Sequence, residues 1–501
     1  MENTIKQYES IRKKMLAYQF ANYMISWDSN TEAPEECFPL RSEQVGVLSE
    51  ESYKLQTTPE TVKIVDELYL LREQLTDEVL KHEILEAKEG LEKLKKVPMD
   101  EYIDYMSLLA ESENLWARAK RNNDFQLFQP TLERIVEFNR KYIKYVETDK
   151  LKGYDVLLDE YEKGMSSKEY DEFFDTIKTE LVPFVKEVVS KKLEFDDAFN
   201  KLEYPKAEQK KFVDYIAEVL DFDLKRGFIK ESEHPFTSGF GTTDVRITNH
   251  YYEDNFTSAI FSGIHELGHA TYEQQINPEL NKTLSGGGAS MALHESQSRF
   301  YENIIGRSLE FWKVHFPKLK SIFKKQLRGV KLNDFYKLIN RAEASLIRTD
   351  ADELTYPIHI MIRYDIEKSL FNNEIEVSEL PQVWNKKYKE YLGVDVPSDK
   401  EGVLQDVHWA GGSFGYFPTY ALGSAYSAQI FKIMNKDFNV LKSLKSGNTK
   451  EINQWLQEHL HKYGSSKYPK ELFKICTGRK FNPKYYISYL IKKYSKIYEI
   501  V

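Results

Sequence analysis

The sequence predicts an all-α, predominantly helical fold with one small β element, and two observations support this. Apolar residues recur at spacings of three and four through long stretches rich in Glu, Lys and Leu, the periodicity of amphipathic helices. Residues 234–255 break that pattern with alternating apolar positions that follow glycines. No fixed-period repeat and no Pro/Gly/Ser-rich linker divides the chain, so we expect one continuous unit over 1–501. It would comprise an N-terminal helical half over 1–230 and a half over 231–501 that carries the chemistry.

Composition and charge narrow the class of protein. Of the 501 residues, 41% are hydrophobic, enough for a substantial core, and the net charge of −9 comes without basic clusters. Nucleic acid and anionic membrane surfaces are therefore not expected as partners. The two cysteines, Cys37 and Cys476, are too few for a disulfide framework and suit a reducing compartment. The N-terminus lacks the apolar core of a signal peptide, and the sequence contains no run of about 18 apolar residues that could span a bilayer. We therefore expect a cytoplasmic protein.

Three stretches before residue 234 are predicted to be helical. Residues 77–96, DEVLKHEILEAKEGLEKLKK, have the charge pattern of a solvated arm of a helical hairpin. We expect surface structure there, with a lid or a dimer contact as the alternative. The stretches 170–192 and 207–222 show the same helical periodicity.

The small β element is predicted from HPFTSGFGTTDVRITNHYYEDN, residues 234–255. Val245, Ile247 and Asn249 alternate in it, directly before the next helical stretch. A strand edge at this place could hydrogen-bond an extended peptide. A purely structural hairpin is the alternative, and the sequence does not separate the two.

The next helix carries two histidines four residues apart, in HELGH. His265 and His269 lie one turn apart on the same helix face, so both can bind one metal ion at about 2.0–2.1 Å. Glu266 is rotated by about 100° and is suited to take a proton from a metal-activated water. Asp254 or Asn255 can cap the start of this helix. The alternative is a pair of buried, hydrogen-bonded core histidines.

A catalytic zinc site needs a third protein ligand and an open position. A second helical pattern follows the SGGG turn and contains His294 and Glu295, both within reach of a site built by His269. These two neighbours point about 100° apart on a helix, so only one of them faces the ion. Spacing alone favours neither.

The order of these motifs resembles the M32 family of metallocarboxypeptidases, the carboxypeptidase Taq type. A WDSNTEAP stretch with Arg41 downstream is similar to the N-terminal region of the family, and the resemblance runs from about residue 27 to 420. The matching segments are HPF (234–236), DVRIT (244–248), HELGH (265–269) with HESQ (294–297), IRTDAD (347–352) and GVLQDVHW (402–409).

The resemblance implies the ligand set and the general base. His265, His269 and Glu295 would bind one divalent ion per subunit, zinc with cobalt or manganese as substitutes, which decides for Glu295 over His294. Glu266 would act as general base and proton shuttle. The family also implies a helical fold shared with neurolysin and angiotensin-converting enzyme, with a deep central groove, and a homodimer.

Related helical peptidases place a His and a Tyr about ten residues apart to stabilise the oxyanion. By this resemblance His408 and Tyr420 are the candidates, and Tyr416 is the competing tyrosine. A packed aromatic turn near GGSFGYFP is the structural alternative for the pair.

An exopeptidase must recognise a free C-terminal carboxylate. Arg348 is the candidate because guanidinium binds carboxylate bidentately, and Gln405 would help to close that end of the groove. Asp350 and Asp352 could instead hold Arg348 in a structural salt bridge. The remaining substrate-binding candidates come from the HPF and DVRIT motifs: His234 and Arg246.

The expected function is a metal-dependent carboxypeptidase that releases single C-terminal residues from peptides with broad specificity. The alternative is an endo-acting oligopeptidase of similar fold, and the IRTDAD and GVLQDVHW segments favour the exopeptidase. A non-catalytic helical scaffold is a third class. It is disfavoured because the candidate ligands and Glu266 are all intact.

Overall fold

The computed structural model describes residues 1–191 and 193–500. Its three strands are β1 (Gly227–Glu231), β2 (Thr237–Gly239) and β3 (Val245–Asn249). The helices of the described ranges are α1 (Glu2–Ser29), α2 (Phe38–Thr57), α3 (Pro59–Leu70), α4 (Glu78–Lys96), α5 (Met99–Asn122), α6 (Phe125–Val146), α7 (Asp155–Asp159), α8 (Ser167–Thr176), α9 (Val182–Ser190), α10 (Lys206–Val219), α11 (Phe256–Gln275), α12 (Met291–Arg299), α13 (Leu309–Ile322), α14 (Leu332–Ile339), α15 (Tyr356–Phe371), α16 (Leu380–Tyr391), α17 (Phe417–Asp437), α18 (Val440–Lys445), α19 (Lys450–His459), α20 (Pro469–Thr477) and α21 (Lys484–Tyr498).

The predominantly helical prediction with a small β element before the HELGH helix is confirmed. The described part of the predicted helix over 170–192 comprises α8 and α9, joined by a π-helical segment, Ile177–Leu181, and residue 192 lies outside the described residues. The predicted helix over 207–222 is α10, which ends at Val219. Within the described ranges, no helix is both long and apolar enough to cross a membrane.

The small sheet has the strand of residues 245–249 in its middle and not at an edge that could bind a peptide. Its order is β1-β3-β2, with β3 parallel to β1 and antiparallel to β2. The strand of the DVRIT motif is therefore central, and its backbone groups are used on both sides. The edge strand beside α11 is β2, which pairs with β3 and consists of the three residues that follow HPF.

The stretch 77–96 forms one helix whose apolar side is covered. Asp77 caps α4, with its Oδ1 accepting from the backbone N–H of Val79 at 2.9 Å. Leu80, Ile84 and Leu91 are buried in a cluster shared with α1 and α3. This cluster is separate from the main core, which holds the helices from α5 onward. Most charged residues of α4 lie on its outer face, but Glu83 is buried and pairs with Arg12 of α1 at 2.8 Å.

The centre of the molecule is α12, which packs between α11 and α17. The sheet lies against α11, and α15 and α21 pack on α17. Glu162 fixes the start of α12, because its buried carboxylate accepts from the backbone N–H of Ala292 at 3.2 Å. Burial raises the pKa of Glu162 from 4.5 to about 7.

This buried carboxyl predicts a pH-dependent stability. Its folded pKa lies above the unfolded value, so its contribution is full below about pH 4.5 and is lost as the pH rises through about 7. Glu162→Gln has no such loss. Between pH 5 and pH 8 the free energy of unfolding of the variant should rise by about 2–3 kcal/mol relative to wild type. Urea titrations at both pH values measure it, and an unchanged difference would show that Glu162 ionises normally.

Candidate metal centre

Helix α11 carries the HELGH motif, and Asn255 begins it. The side chain of Asn255 accepts from the backbone N–H of Ser258 at 3.3 Å, so Asn255 is the cap rather than Asp254. His265 and His269 lie one turn apart, with ring centroids 4.9 Å apart. Apolar residues of α11 are buried in the main core, which holds the face with the two histidines in a fixed direction.

Glu295 of α12 faces both histidines. Its Oε2 is 3.5 Å from Nε2 of His265 and 3.5 Å from Nε2 of His269. The three ligand atoms lie within 4.8 Å of one another, and we call these residues the three-donor group. Donors on a tetrahedral ion at about 2.0–2.1 Å are about 3.4 Å apart. Two imidazole nitrogens and one carboxylate oxygen in this arrangement fit a divalent metal.

Gly268 allows α11 and α12 to approach closely enough for this arrangement. A Cβ at residue 268 would lie 2.7 Å from Cα of Ser298 and 2.8 Å from the carbonyl oxygen of Gln297. Any side chain here would push the two helices apart. The Gly of HELGH is therefore required by helix packing, which places His269 and Glu295 within reach of one ion.

A second carboxylate lies behind His265. Glu302, in the π-helical segment Phe300–Ile305, accepts from Nδ1 of His265 at 3.0 Å. Arg299 bonds both Glu295 (2.7 Å) and Glu302 (3.2 Å). We did not predict these two residues, although Glu295, Arg299 and Glu302 follow one another at spacings of four and three. That spacing was the available signal, because it places all three on one helix face.

His294 does not belong to the three-donor group. Its Nδ1 is 2.6 Å from Nδ1 of His269, and its Nε2 is 2.7 Å from Oε1 of Glu273. Both ring nitrogens are therefore engaged with protein atoms. Its neighbour Glu295 is the residue that turns toward the two Nε2 atoms of α11.

The electrostatics prepare two members of the three-donor group for cation binding. Burial alone would raise the pKa of Glu295, but Arg299 and His265 outweigh it and hold that pKa well below its usual range. Burial lowers the pKa of His269 to about 3. At neutral pH the carboxylate is thus ionised and this imidazole is neutral, the states in which they bind a metal.

Glu266 is held beside the three-donor group by the sheet. Thr237 of β2 donates its hydroxyl to Oε2 of Glu266 at 2.6 Å. Burial raises the pKa of Glu266. Thr237 was not predicted, although it directly follows the HPF motif, because no local pattern in the sequence links a strand residue to a particular helix residue.

His408 and Tyr420 are in contact. Nε2 of His408 lies 3.1 Å from the hydroxyl of Tyr420. Tyr416 is also adjacent, with its ring 5.4 Å from that of His408 and its hydroxyl 3.8 Å from Sδ of Met291 in α12. Burial lowers the pKa of His408 to about 4, so the imidazole is neutral at pH 7. Among the described residues, Nδ1 of His408 is buried without a hydrogen-bond partner.

Arg348 forms a salt bridge with Asp406, and not with Asp350 or Asp352. Its Nε and Nη2 both lie 2.9 Å from Oδ1 of Asp406. Arg363 occupies Oδ2 of the same carboxylate, with Nη2 at 2.6 Å. Asp352 instead accepts backbone N–H groups of its own loop, including that of Leu354 at 2.9 Å, so it acts as a turn residue.

Gln405 is fully used within the protein. Its Oε1 accepts from the backbone N–H of Arg348 at 3.0 Å and from Nη2 of Arg363 at 2.7 Å. Its Nε2 donates to the carbonyls of Leu346 and Glu401. The amide thus links the Arg348 backbone to Arg363, and no hydrogen-bonding group of it is left over for a ligand. We call Arg348, Arg363 and Asp406 the arginine cluster.

The two remaining candidates lie at the sheet. Arg246 of β3 is paired with Asp244 at 2.8 and 2.7 Å, and its guanidinium lies 4.8 Å from the ring centre of Phe240. His234 is exposed, and its backbone carbonyl accepts from the Ser232 hydroxyl at 2.6 Å. Arg246 is therefore built into the salt bridge and an aromatic cluster, while the His234 ring is open to solvent.

The chain matches known proteins along nearly its full length. A family model described as Carboxypeptidase Taq (M32) metallopeptidase matches residues 7–494. Carboxypeptidase 1 of Bacillus subtilis is 42% identical over 494 residues, 98% of each chain. Thermostable carboxypeptidase 1 of Thermus thermophilus is 34% identical over 487 residues, 95% of each chain.

Solved structures agree in fold over the same length. The M32 carboxypeptidase of Deinococcus radiodurans superposes with a TM-score of 0.95 at 29% identity, covering 99% of this chain and 100% of that one. Metallocarboxypeptidase 1 of Trypanosoma cruzi has a TM-score of 0.93 at 32% identity, with the same coverage.

Proposed function

The chain belongs to the carboxypeptidase Taq (M32) family of metallopeptidases and is a metal-dependent carboxypeptidase, and we propose that its metal ion is held by His265, His269 and Glu295. The observation that carries this proposal is the approach of Glu295 Oε2 to 3.5 Å from both Nε2 atoms. Two imidazoles and one carboxylate, with one position left for water, suit zinc, and cobalt or manganese would substitute.

In the proposed mechanism, Glu266 is the general base. When bound, a divalent ion supplies Lewis acidity, which lowers the pKa of water and polarises the scissile carbonyl. The Glu266 carboxylate takes the proton of the attacking water and later gives it to the leaving amine. Thr237 orients Glu266 through the hydroxyl that donates to Oε2. The Glu266 carboxylate is therefore already oriented before the reaction begins.

The oxyanion of the tetrahedral intermediate needs hydrogen-bond donors beside the ion. We propose that His408 and Tyr420 supply them, because they contact each other and both remain partly accessible. A neutral His408 carries one N–H, and the raised pKa of Tyr420, caused first by burial, keeps its phenol protonated. Tyr416 stays the competing tyrosine, because it packs 5.1 Å from the Tyr420 ring.

The arginine cluster supports recognition of a substrate carboxylate. Two guanidinium groups, Arg348 and Arg363, share the single carboxylate of Asp406, which leaves one net positive charge in a buried place. The carboxylate of a peptide C-terminus would balance that charge. Arg348 also lies 5.1 Å from the Tyr420 ring centre, so the cluster adjoins the proposed oxyanion donors.

This role predicts the effect of replacing Arg348 with glutamine. Peptides with a free C-terminus should lose about 100-fold in kcat/KM, because a charge-assisted pair to the carboxylate is removed. The C-terminal amides of the same peptides should change little, since they never make this pair. Steady-state kinetics on matched acid and amide peptides measure the ratio.

Arg341→Gln serves as the control for the Arg348 variant. Arg341 is half-exposed and pairs with Glu343, outside the cluster, so this change should leave the preference for the free acid intact. The assignment of Arg348 would be wrong if its variant discriminated between acid and amide as strongly as wild type. Asp406 keeps its bonds to Arg363 in the variant, so the fold should be maintained.

Three further expectations from the sequence accompany this proposal. They are a homodimer, a cytoplasmic location and the division at residue 230. Sedimentation equilibrium measures the first of them, with twice the chain mass as the expected result.

A further inference from the structure

Nδ1 of His265 contacts a carboxylate directly, whereas Nδ1 of His269 contacts the ring of another histidine. We propose that His294 and Glu273 are positioning residues that orient His269 toward the metal through a hydrogen-bond chain of fixed direction. The inference rests on the proposed metal site. The contacts that carry it are Nδ1 of His269 to Nδ1 of His294 (2.6 Å) and Nε2 of His294 to Oε1 of Glu273 (2.7 Å).

The direction of this chain follows from valence. If Nε2 of His269 binds the ion, its proton lies on Nδ1, so Nδ1 donates. Nδ1 of His294 must then accept, so the N–H of the His294 ring is on Nε2. That Nε2–H donates to Oε1 of Glu273. Each group has one role, and the opposite direction would place a proton where the ion binds.

The other histidine of α11 shows what this chain replaces. Nδ1 of His265 reaches Glu302 directly at 3.0 Å, and Glu302 is compensated by Arg299 and Arg307 at 3.2 Å. Glu273 has no arginine within salt-bridge distance among the described residues. The hydrogen bonds connect Glu273 to His269 through the His294 ring, so that ring is the connecting element.

The hydrogen-bond chain from His269 through His294 to Glu273 is held in place from two sides. Oε1 of Glu273 also accepts from the backbone N–H of Gly288 at 3.1 Å, which ties it to the SGGG turn before α12. A Cβ at residue 288 would overlap the His294 ring and lie 3.1 Å from Cε1 of Tyr272. The last glycine of that turn is therefore needed to seat His294, a constraint that a simple connecting turn would not impose.

The test measures metal affinity rather than activity. Co²⁺ is added to the metal-free protein in competition with a chromophoric chelator, and the visible spectrum of the bound Co²⁺ is recorded. His294→Phe keeps a flat ring but removes both hydrogen bonds, so Co²⁺ should bind about 10- to 100-fold more weakly with an altered spectrum. His294→Asn should recover most of this loss, since Oδ1 of asparagine can stand where Nδ1 accepts.

Two further variants keep the test decisive. Gly288→Ala keeps the side chains of His269, His294 and Glu273 but displaces the His294 ring, so it should weaken Co²⁺ binding in the same way. It therefore provides the test even if His294→Phe does not fold. His315→Phe is the control: His315 is buried and bonded to Tyr215 away from the site, so Co²⁺ affinity should be unchanged.

Either of two results would overturn the inference. One is Co²⁺ affinity within twofold of wild type in both His294→Phe and Gly288→Ala. The other is an asparagine variant as weak as the phenylalanine variant. Failure of the proposed metal site would look different: His269→Phe would then bind Co²⁺ as tightly as wild type, and both proposals would be overturned.

Discussion

Replacing Glu266 with glutamine is expected to lower kcat by about 10³- to 10⁴-fold while the metal stays bound. The glutamine amide fills the same space and can still accept the Thr237 hydroxyl, but it cannot take a proton from water. The three-donor group does not include Glu266, so metal content should be unchanged. Steady-state kinetics together with metal analysis of the purified variant measure both quantities.

A surface glutamate provides the control for this variant. Glu279→Gln removes the same charge from an exposed position just beyond α11 and should keep full activity. A Glu266→Gln enzyme within tenfold of wild type would contradict the general-base assignment. A variant that lost its metal would instead mean that Glu266 belongs to the ligand set.

Replacing Glu295 with glutamine should act on the metal itself. The neutral amide is a poor ligand, so metal affinity should fall by at least about 100-fold, more than an outer hydrogen-bond change causes. Activity at equimolar metal should be lost and should return in part at high metal concentration. Arg299 keeps its bond to Glu302, so the variant should still fold.

The two variants separate binding from proton transfer. Excess metal should rescue Glu295→Gln but not Glu266→Gln. A Glu295 variant that kept wild-type metal affinity would remove this residue from the ligand set. His294 would then be re-examined as the third ligand, against its two hydrogen bonds to His269 and Glu273.

Much of the fold could be predicted because helix periodicity is local. The stretches 77–96, 170–192 and 207–222 each repeat apolar residues at three and four, and their described residues form α4, α8 with α9, and α10. The sheet could be predicted only as a β element. Which strand is central depends on pairing between β1 and β3, which are separated in the chain, and no local pattern encodes that pairing.

The same limit applies within the site. A spacing of four residues on one helix brings His265 and His269 together, so their proximity follows from the sequence. The partners that hold them come from elsewhere: Thr237 from a strand, Glu302 from a later helical turn. These contacts depend on how close α11 lies to the sheet and to α12, which is a property of the packed core.

The salt-bridge partner of Arg348 could not be predicted from proximity in the sequence. Asp350 and Asp352 are its nearest acidic neighbours, yet Asp406 forms the salt bridge. Asp350 lies in the short 3₁₀ turn Arg348–Asp350, and Asp352 accepts the backbone N–H groups of Leu354 and Thr355. Asp406 lies beside Gln405 in GVLQDVHW, so the two motifs act as one cluster.

The most direct test of the account is mass spectrometry of N-acetylated peptides incubated with the metal-loaded protein, with and without a chelator. The account predicts a ladder of products, each one residue shorter at the C-terminus, that disappears with the chelator and in Glu266→Gln. Internal cleavage, or a ladder that persists when the metal is removed, would contradict it.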